Sequence, residues 1–240
     1  MIYDALKEKR DEVAAKARDN IAEICERFGA RDAGSEGEKQ TAEYFEGRLK
    51  AVCDDVKTEK FSVAPDAYFA WASIVASLAL LSFVAYFFSA LVSILLAVIG
   101  VVVYVIQFIA SKHFFDPLYK VKTSQNVTAV KNPSGEIRNR LFFVAHIDAT
   151  KEWTLLYRLG GGAMDFAIIS SLIGLVYLVG ANIANWVIVG GLGASIASGA
   201  MLIVGLVAIA FLPGWICLYF LINPKRVTDG PNEDLSGCDV

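Results

Sequence analysis

The sequence predicts an α/β domain interrupted twice by α-helical transmembrane hairpins, with four membrane crossings in all. The first reason is charge segregation. Of 47 Asp, Glu, Lys and Arg residues, 28 fall in residues 1–66, while residues 67–111 and 166–224 contain none. The second is local pattern: the charged segments read as amphipathic helices and short strands. The third is composition. The 240 residues are 55% hydrophobic and only 20% charged, and the uncharged runs hold more apolar surface than a soluble domain of this size can bury. A disordered tail and a small disulfide scaffold are both excluded. The net charge of −3 gives no electrostatic basis for a nucleic-acid partner.

Residues 3–28 read as a surface helix with one apolar stripe that includes Ile21, Ile24, Cys25 and Phe28. Gly29 and the stretch 31–34 break it. A second helix starts at Ser35, whose side chain caps it, with Glu38 three residues on to close a capping box. Ala42, Phe45 and Leu49 give that helix an inner face. Residues 56–63 alternate as a strand does.

The run 67–111 would be about 68 Å long as a helix, against about 30 Å of hydrocarbon, so it predicts two crossings with a turn near 89–93. Soluble sequence then returns. Residues 124–131 read as a strand and 132–135 (NPSG) as a turn. Residues 140–147 read as a nearly all-apolar strand of the kind covered on both faces. The run 166–224 would be about 88 Å as helix, and length leaves two or three crossings open. Asn182 and Asn185 mark one turn in this reading. Gly191, Ser195 and Gly199 form a small-residue stripe for close helix approach, and Pro213-Gly214 marks a kink.

The expected organisation is therefore 1–66, soluble; 67–111, hairpin; 112–165, soluble; 166–224, hairpin; and 225–240, soluble. Nine Lys and Arg residues flank the runs (Lys57, Lys60, Lys112, Lys120, Lys122, Lys151, Arg158, Lys225 and Arg226), and the turns inside the runs carry none. The positive-inside rule then makes this an integral protein of the cell membrane with its soluble part in the cytoplasm. The Asn126-Val127-Thr128 sequon would stay unmodified there. The four cysteines show no metal-type pairing and read as reduced thiols. His113 beside Lys112 reads as interfacial.

Three pieces carry chemistry. Val144-Ala145-His146-Ile147-Asp148 closes the apolar strand and puts His146 and Asp148 on one face. A carboxylate beside an imidazole fixes its tautomer, which serves a structural pair or a metal ligand equally. Residues 229–237 (DGPNEDLSG) form an acidic loop, readable as a simple turn or as a carboxylate ligand at a turn. Residues 31–38 (RDAGSEGE) form a helix start.

In this order the three pieces resemble the amino-terminal half of a two-zinc aminopeptidase, of the family that includes bacterial leucyl aminopeptidases, glutamate carboxypeptidase and the transferrin-receptor ectodomain. The resemblance covers roughly 20–63, 124–150 and 228–240, including Gln125-Asn126-Val127-Thr128-Ala129, Ala145-His146-Ile147-Asp148 and the loop 230–237. It implies a peptidase-type sheet-and-helix domain, two zinc ions and a peptide substrate. It makes His146 a ligand of one zinc and Asp148 the carboxylate that orients it. The carboxylate bridging both metals aligns with Glu233, where the family has Asp, and Asp234 stands where it has Asn. Either Glu233 reaches the metals with its longer arm or the loop shifts and Asp234 serves; register favours Glu233.

Both apolar runs stand where the family has loops. His146 and the acidic loop can share one site only if the second run crosses an even number of times, hence two. The remaining family ligands would lie beyond Val240. The chain is therefore expected to act as an amino-terminal fragment of a membrane-anchored zinc exopeptidase, binding zinc poorly and hydrolysing nothing alone. The alternative is a non-catalytic membrane protein that keeps the peptidase-like fold for interaction or assembly. A small transporter is disfavoured because the runs contain no charge for a substrate path.

Overall fold

The computed structural model describes residues 9–112, 114–191, 198–231 and 235. The chain divides into two compact units. One gathers 1–65, 120–151 and 225–240; the other gathers 66–119 and 152–224.

The first unit opens with helix α1 (Arg10–Phe28), which buries Ile24 on its inner stripe. Helix α2 (Glu36–Lys50) follows after a tight connection. Ser35 Oγ accepts from Glu38 N at 3.2 Å, and the Glu38 carboxylate reaches back to Gly34 N at 2.6 Å, so the capping box forms one residue wider than expected. Strand β1 (Asp55–Val63) pairs antiparallel with β2 (Lys122–Val130) in a continuous register from Asp55↔Val130 to Val63↔Lys122. Helix α2 lies on this ribbon. Thr58 Oγ1 donates to Glu46, and Gln125 Nε2 donates to Lys39 O. A second two-stranded sheet pairs β3 (Lys151–Glu152) with β4 (Asn223–Val227).

The predicted apolar strand over 140–147 does not form. Residues 131–150 contain no strand, and Leu141, Phe142, Phe143 and Val144 are 82–92% exposed. A strand that is apolar on both faces is stable only with both faces covered. Among the described residues no element covers this segment, so its hydrophobicity has nothing to pack against.

The second unit holds four helices long and apolar enough to cross a membrane: Pro65–Tyr86, Ala90–Ile109, Gly161–Val189 and Gly199–Tyr219. The first is α3 (Pro65–Tyr86). The second is α4 (Ala90–Val103), which continues as a π-helical stretch over Tyr104–Ile109. The turn between them lies slightly earlier than predicted, at residues 87–89, with Ser89 Oγ capping Val92 N. After the short helix α5 (Thr154–Leu159) comes α6 (Gly161–Val189). Then α7 (Gly199–Val207) tightens into a 3-10 stretch at Ala208–Phe211 before α8 (Leu212–Tyr219). The change of helix type falls at the predicted kink, where Pro213 lacks the N–H that a continuous α-helix needs.

Two expectations for the second run are corrected. Asn182 and Asn185 are not at a turn; they are fully buried inside α6, where Asn182 donates to Ser93 Oγ and to Leu178 O. The helix ends instead at Gly190, whose left-handed backbone (φ 75°) a side chain would disfavour. The Gly191/Ser195/Gly199 stripe is not one helix face, because α6 has ended before Gly191 and Gly199 begins α7; Ser195 lies outside the described residues. Close approach is achieved elsewhere. At Gly174 a Cβ would stand 2.6 Å from Trp215 Cζ2 and 2.8 Å from Phe211 Cβ, and at Gly205 one would collide with the Tyr86 ring.

No hydrophobic effect drives helices together in lipid, so packing and hydrogen bonds decide. Ser82 and Ser93 exchange reciprocal bonds, each Oγ to the other's carbonyl at 2.9 Å. Tyr86, Tyr104 and Tyr177 donate to the carbonyls of Met201, Ile168 and Val204, and Trp215 Nε1 donates to Ser171 O. Each bond joins two different helices. The outward positions (Leu81, Leu95, Ile169, Ile173, Ile203) remain exposed and apolar, as lipid contact requires.

Gly174→Ala should weaken the bundle by about 1–3 kcal/mol through overpacking. Gly180→Ala, on the same helix with no atom within 4 Å of its added methyl, should be neutral or stabilising. SDS-induced unfolding in mixed micelles measures both.

Candidate functional site

The three chemistry-bearing segments are brought together by Arg31. The end of α1 and Gly29 turn the chain so that the Arg31 side chain is fully buried inside the first unit. Its Nη1 donates to Gly29 O at 2.8 Å and its Nε to Ile147 O at 3.1 Å. Its Nη2 donates to Asp229 O at 2.7 Å and to Gly230 O at 3.4 Å. The Arg31 carbonyl accepts from Ala149 N at 2.9 Å. A planar guanidinium with donors fixed in a fork can serve three chain segments at once, which an ammonium cannot.

Further contacts hold the same arrangement. Cys25 Sγ donates to Asp229 O, and Thr228 bonds Thr150 O through both its N–H and its hydroxyl. Gly230 O also accepts from the N–H of the fully buried Leu235. Lys122 pairs with Asp32 at 2.7 Å, joining the start of β2 to the turn before α2.

His146 and Asp148 project from the segment that Arg31 holds at Ile147. His146 Nδ1 lies 3.5 Å from Asp148 Oδ1, with side chains 74% and 37% exposed. The imidazole and the carboxylate stand on the same side of the chain, as alternate residues of an extended segment do. Glu233 and Asp234, the remaining predicted ligands, lie outside the described residues, as does His113. Among the described residues no group of three or more His, Cys, Asp or Glu could hold a metal ion. The donor chemistry of His146 and Asp148 fits one zinc ligand with its orienting carboxylate. Cys25, Cys53 and Cys217 are unpaired with one another.

Glu38 does more than cap a helix. Its carboxylate is buried, with one oxygen 2.5 Å from Ser124 Oγ and the other accepting from Gly34 N. Burial raises its pKa above the ordinary glutamate value, bonds from Ser124 and Gly34 oppose that, and the nearby negative charge of Asp148 raises it further. Asp148 thus belongs to an electrostatic group that also contains Glu38. Neither Glu38 nor Arg31 has a sequence signature for these roles, since a helix-start motif accounts for both.

Compared with known protein families, curated proteins and solved structures, the chain gives no significant match in any of the three.

Two predictions follow from this geometry. Arg31→Met leaves the carbonyls of Gly29 and Ile147 without the guanidinium's N–H and takes one of two donors from those of Asp229 and Gly230. It should destabilise the first unit by at least about 2 kcal/mol and speed limited proteolysis within β1 and β2 roughly 30-fold, with Arg31→Lys restoring little. The second concerns pH. A carboxyl whose folded pKa is raised is better accommodated protonated, so stability falls as pH rises from the ordinary glutamate value through the folded one. Glu38→Gln keeps one acceptor for Gly34 N and gains a donor for Ser124 Oγ. Its unfolding midpoint relative to wild type should rise with pH across that window and level off above it. A relative midpoint that falls with rising pH would contradict the assignment.

Proposed function

We propose that the chain is a membrane-anchored zinc metallopeptidase of the aminopeptidase-like exopeptidase type, with its soluble unit in the cytoplasm and a peptide as substrate. The observation that supports this reading is the shared guanidinium. Arg31 binds Ile147 O, between His146 and Asp148, and also Asp229 O and Gly230 O, at the head of the acidic loop. Two segments separated by a membrane-type helical excursion are thus neighbours. That convergence is what a metal centre built from His146 and a carboxylate of the 229–237 loop requires.

In this reading His146 supplies an imidazole ligand, and Asp148 holds the ring in one tautomer by accepting from Nδ1. Glu233 or Asp234 supplies the carboxylate. Zinc, when bound, polarises the scissile carbonyl and lowers the pKa of a coordinated water towards neutrality. The chain's own part is positional. Arg31 fixes the backbone on both sides.

A second reading has its own observation. Leu141–Val144 is a run of four large apolar side chains, each at least 82% exposed. Such a strip marks an interaction surface, as in a non-catalytic protein that keeps this unit for assembly.

Zinc titration of the purified chain in detergent micelles separates the two. The peptidase reading expects weak but saturable binding, at least 10-fold weaker in His146→Ala and about 10-fold weaker in Asp148→Ala. Zinc affinity unchanged by His146→Ala would remove the metal-site reading and leave the assembly role.

A further inference from the structure

Asn182 and Asn185 stand three residues apart on one face of α6, and both are fully buried. Asn182 Nδ2 is fixed by its bonds to Ser93 Oγ and Leu178 O, both at 2.8 Å, which leaves Oδ1 without a protein partner. Neither Nδ2 nor Oδ1 of Asn185 has one. Around them Ser82 on α3 and Ser93 on α4 are buried and mutually bonded. An unpaired amide in an apolar interior is costly, and more so where no bulk solvent reaches.

Position along the helix matters. The 29 residues of α6 span about 44 Å, some 14 Å more than a typical hydrocarbon core. Asn185 and Asn182 lie about 6 Å and 10 Å from the Val189 end. Trp186, beside them and half exposed, is a side chain suited to the membrane–water boundary. The pair therefore sits where the hydrocarbon begins, within reach of interfacial water.

The unpaired groups specify their occupant. They are two acceptor oxygens and the two N–H donors of the Asn185 amide nitrogen, whichever way that amide is turned. A bare cation would satisfy the oxygens and repel the N–H, and an acyl chain would satisfy none. A water molecule donates to both oxygens and accepts from one of the two N–H groups, making the three bonds usual for a buried water. We propose that Asn182 and Asn185 form a binding site for a structural water that bridges them and couples the end of α6 to the Ser82–Ser93 pair on α3 and α4.

The test uses the full chain in micelles with 15N-labelled asparagine. The two side-chain amide signals are assigned through Asn182→Leu and Asn185→Leu. A water-selective cross-relaxation experiment should show a cross-peak between water and the Asn185 amide protons, and Asn182→Leu should abolish it. In a double-mutant cycle the doubly substituted chain should unfold little more readily than either single variant, a coupling of about 5-fold or more in the unfolding constant. Cross-peaks to protein protons alone, additive effects of the two substitutions, an Asn185→Leu chain more stable than wild type, or amide shifts driven by sodium or potassium would each overturn the proposal.

Discussion

A buried guanidinium sets the architecture of the first unit. Taking an arginine out of water is unfavourable unless its donors are met, and here they are met by main-chain carbonyls rather than by a carboxylate. The consequence is a strict geometric demand. The turn after α1, the segment carrying His146 and Asp148, and the loop that begins at Asp229 must all present carbonyls to one planar fork. None of these segments is regular secondary structure at the point of contact; the β3–β4 pair and the Thr228–Thr150 bonds bring two of them side by side, and the guanidinium joins the turn after α1 to both. The nine-residue ribbon of β1 and β2 supplies a platform, and Arg31 ties the irregular segments to one another within the same unit.

The membrane-type unit solves a different problem by the same means. Its helices satisfy their own backbones, and what remains are side-chain donors that have no water to turn to. Tyr86, Tyr104, Tyr177 and Trp215 each find a carbonyl on a neighbouring helix. A carbonyl already engaged within a helix retains a lone pair, so these bonds add adhesion without unwinding either partner. Gly174 and Gly205 lie where aromatic rings cross, and the absence of a side chain lets Trp215 and Tyr86 come close enough to donate.

Much of this was legible in the sequence, and the reason is periodicity. Two long uncharged runs gave the apolar helices, the Ser35–Glu38 spacing gave the capping box, and Pro213 marked the break in the last long helix. What failed was context. Leu141–Val144 reads as a buried strand because composition registers hydrophobicity and cannot register whether anything covers it. Asn182 and Asn185 read as a turn because asparagine favours turns, whereas Ser93, 89 positions away, gives Asn182 a partner inside a helix. The candidate site was readable as three motifs but not as a junction. Arg31 was visible only as a residue preceding a helix, and its partners lie 116 and 198 positions distant.

Assembly of the first unit from three separated stretches has a consequence for biosynthesis. A chain emerges from its amino terminus, and early segments usually fold first. Here Arg31 is made long before Asp229 and Gly230, the last of its acceptors, and all four apolar helices are translated in the interval. The nascent amino-terminal portion must therefore wait, solvated and incomplete, while the lipid-seeking segments leave the ribosome. Closure around the arginine thus comes after all four apolar helices are made, and a ribosome stalled between residues 219 and 229 would release a product whose helices are complete but whose first unit cannot lock.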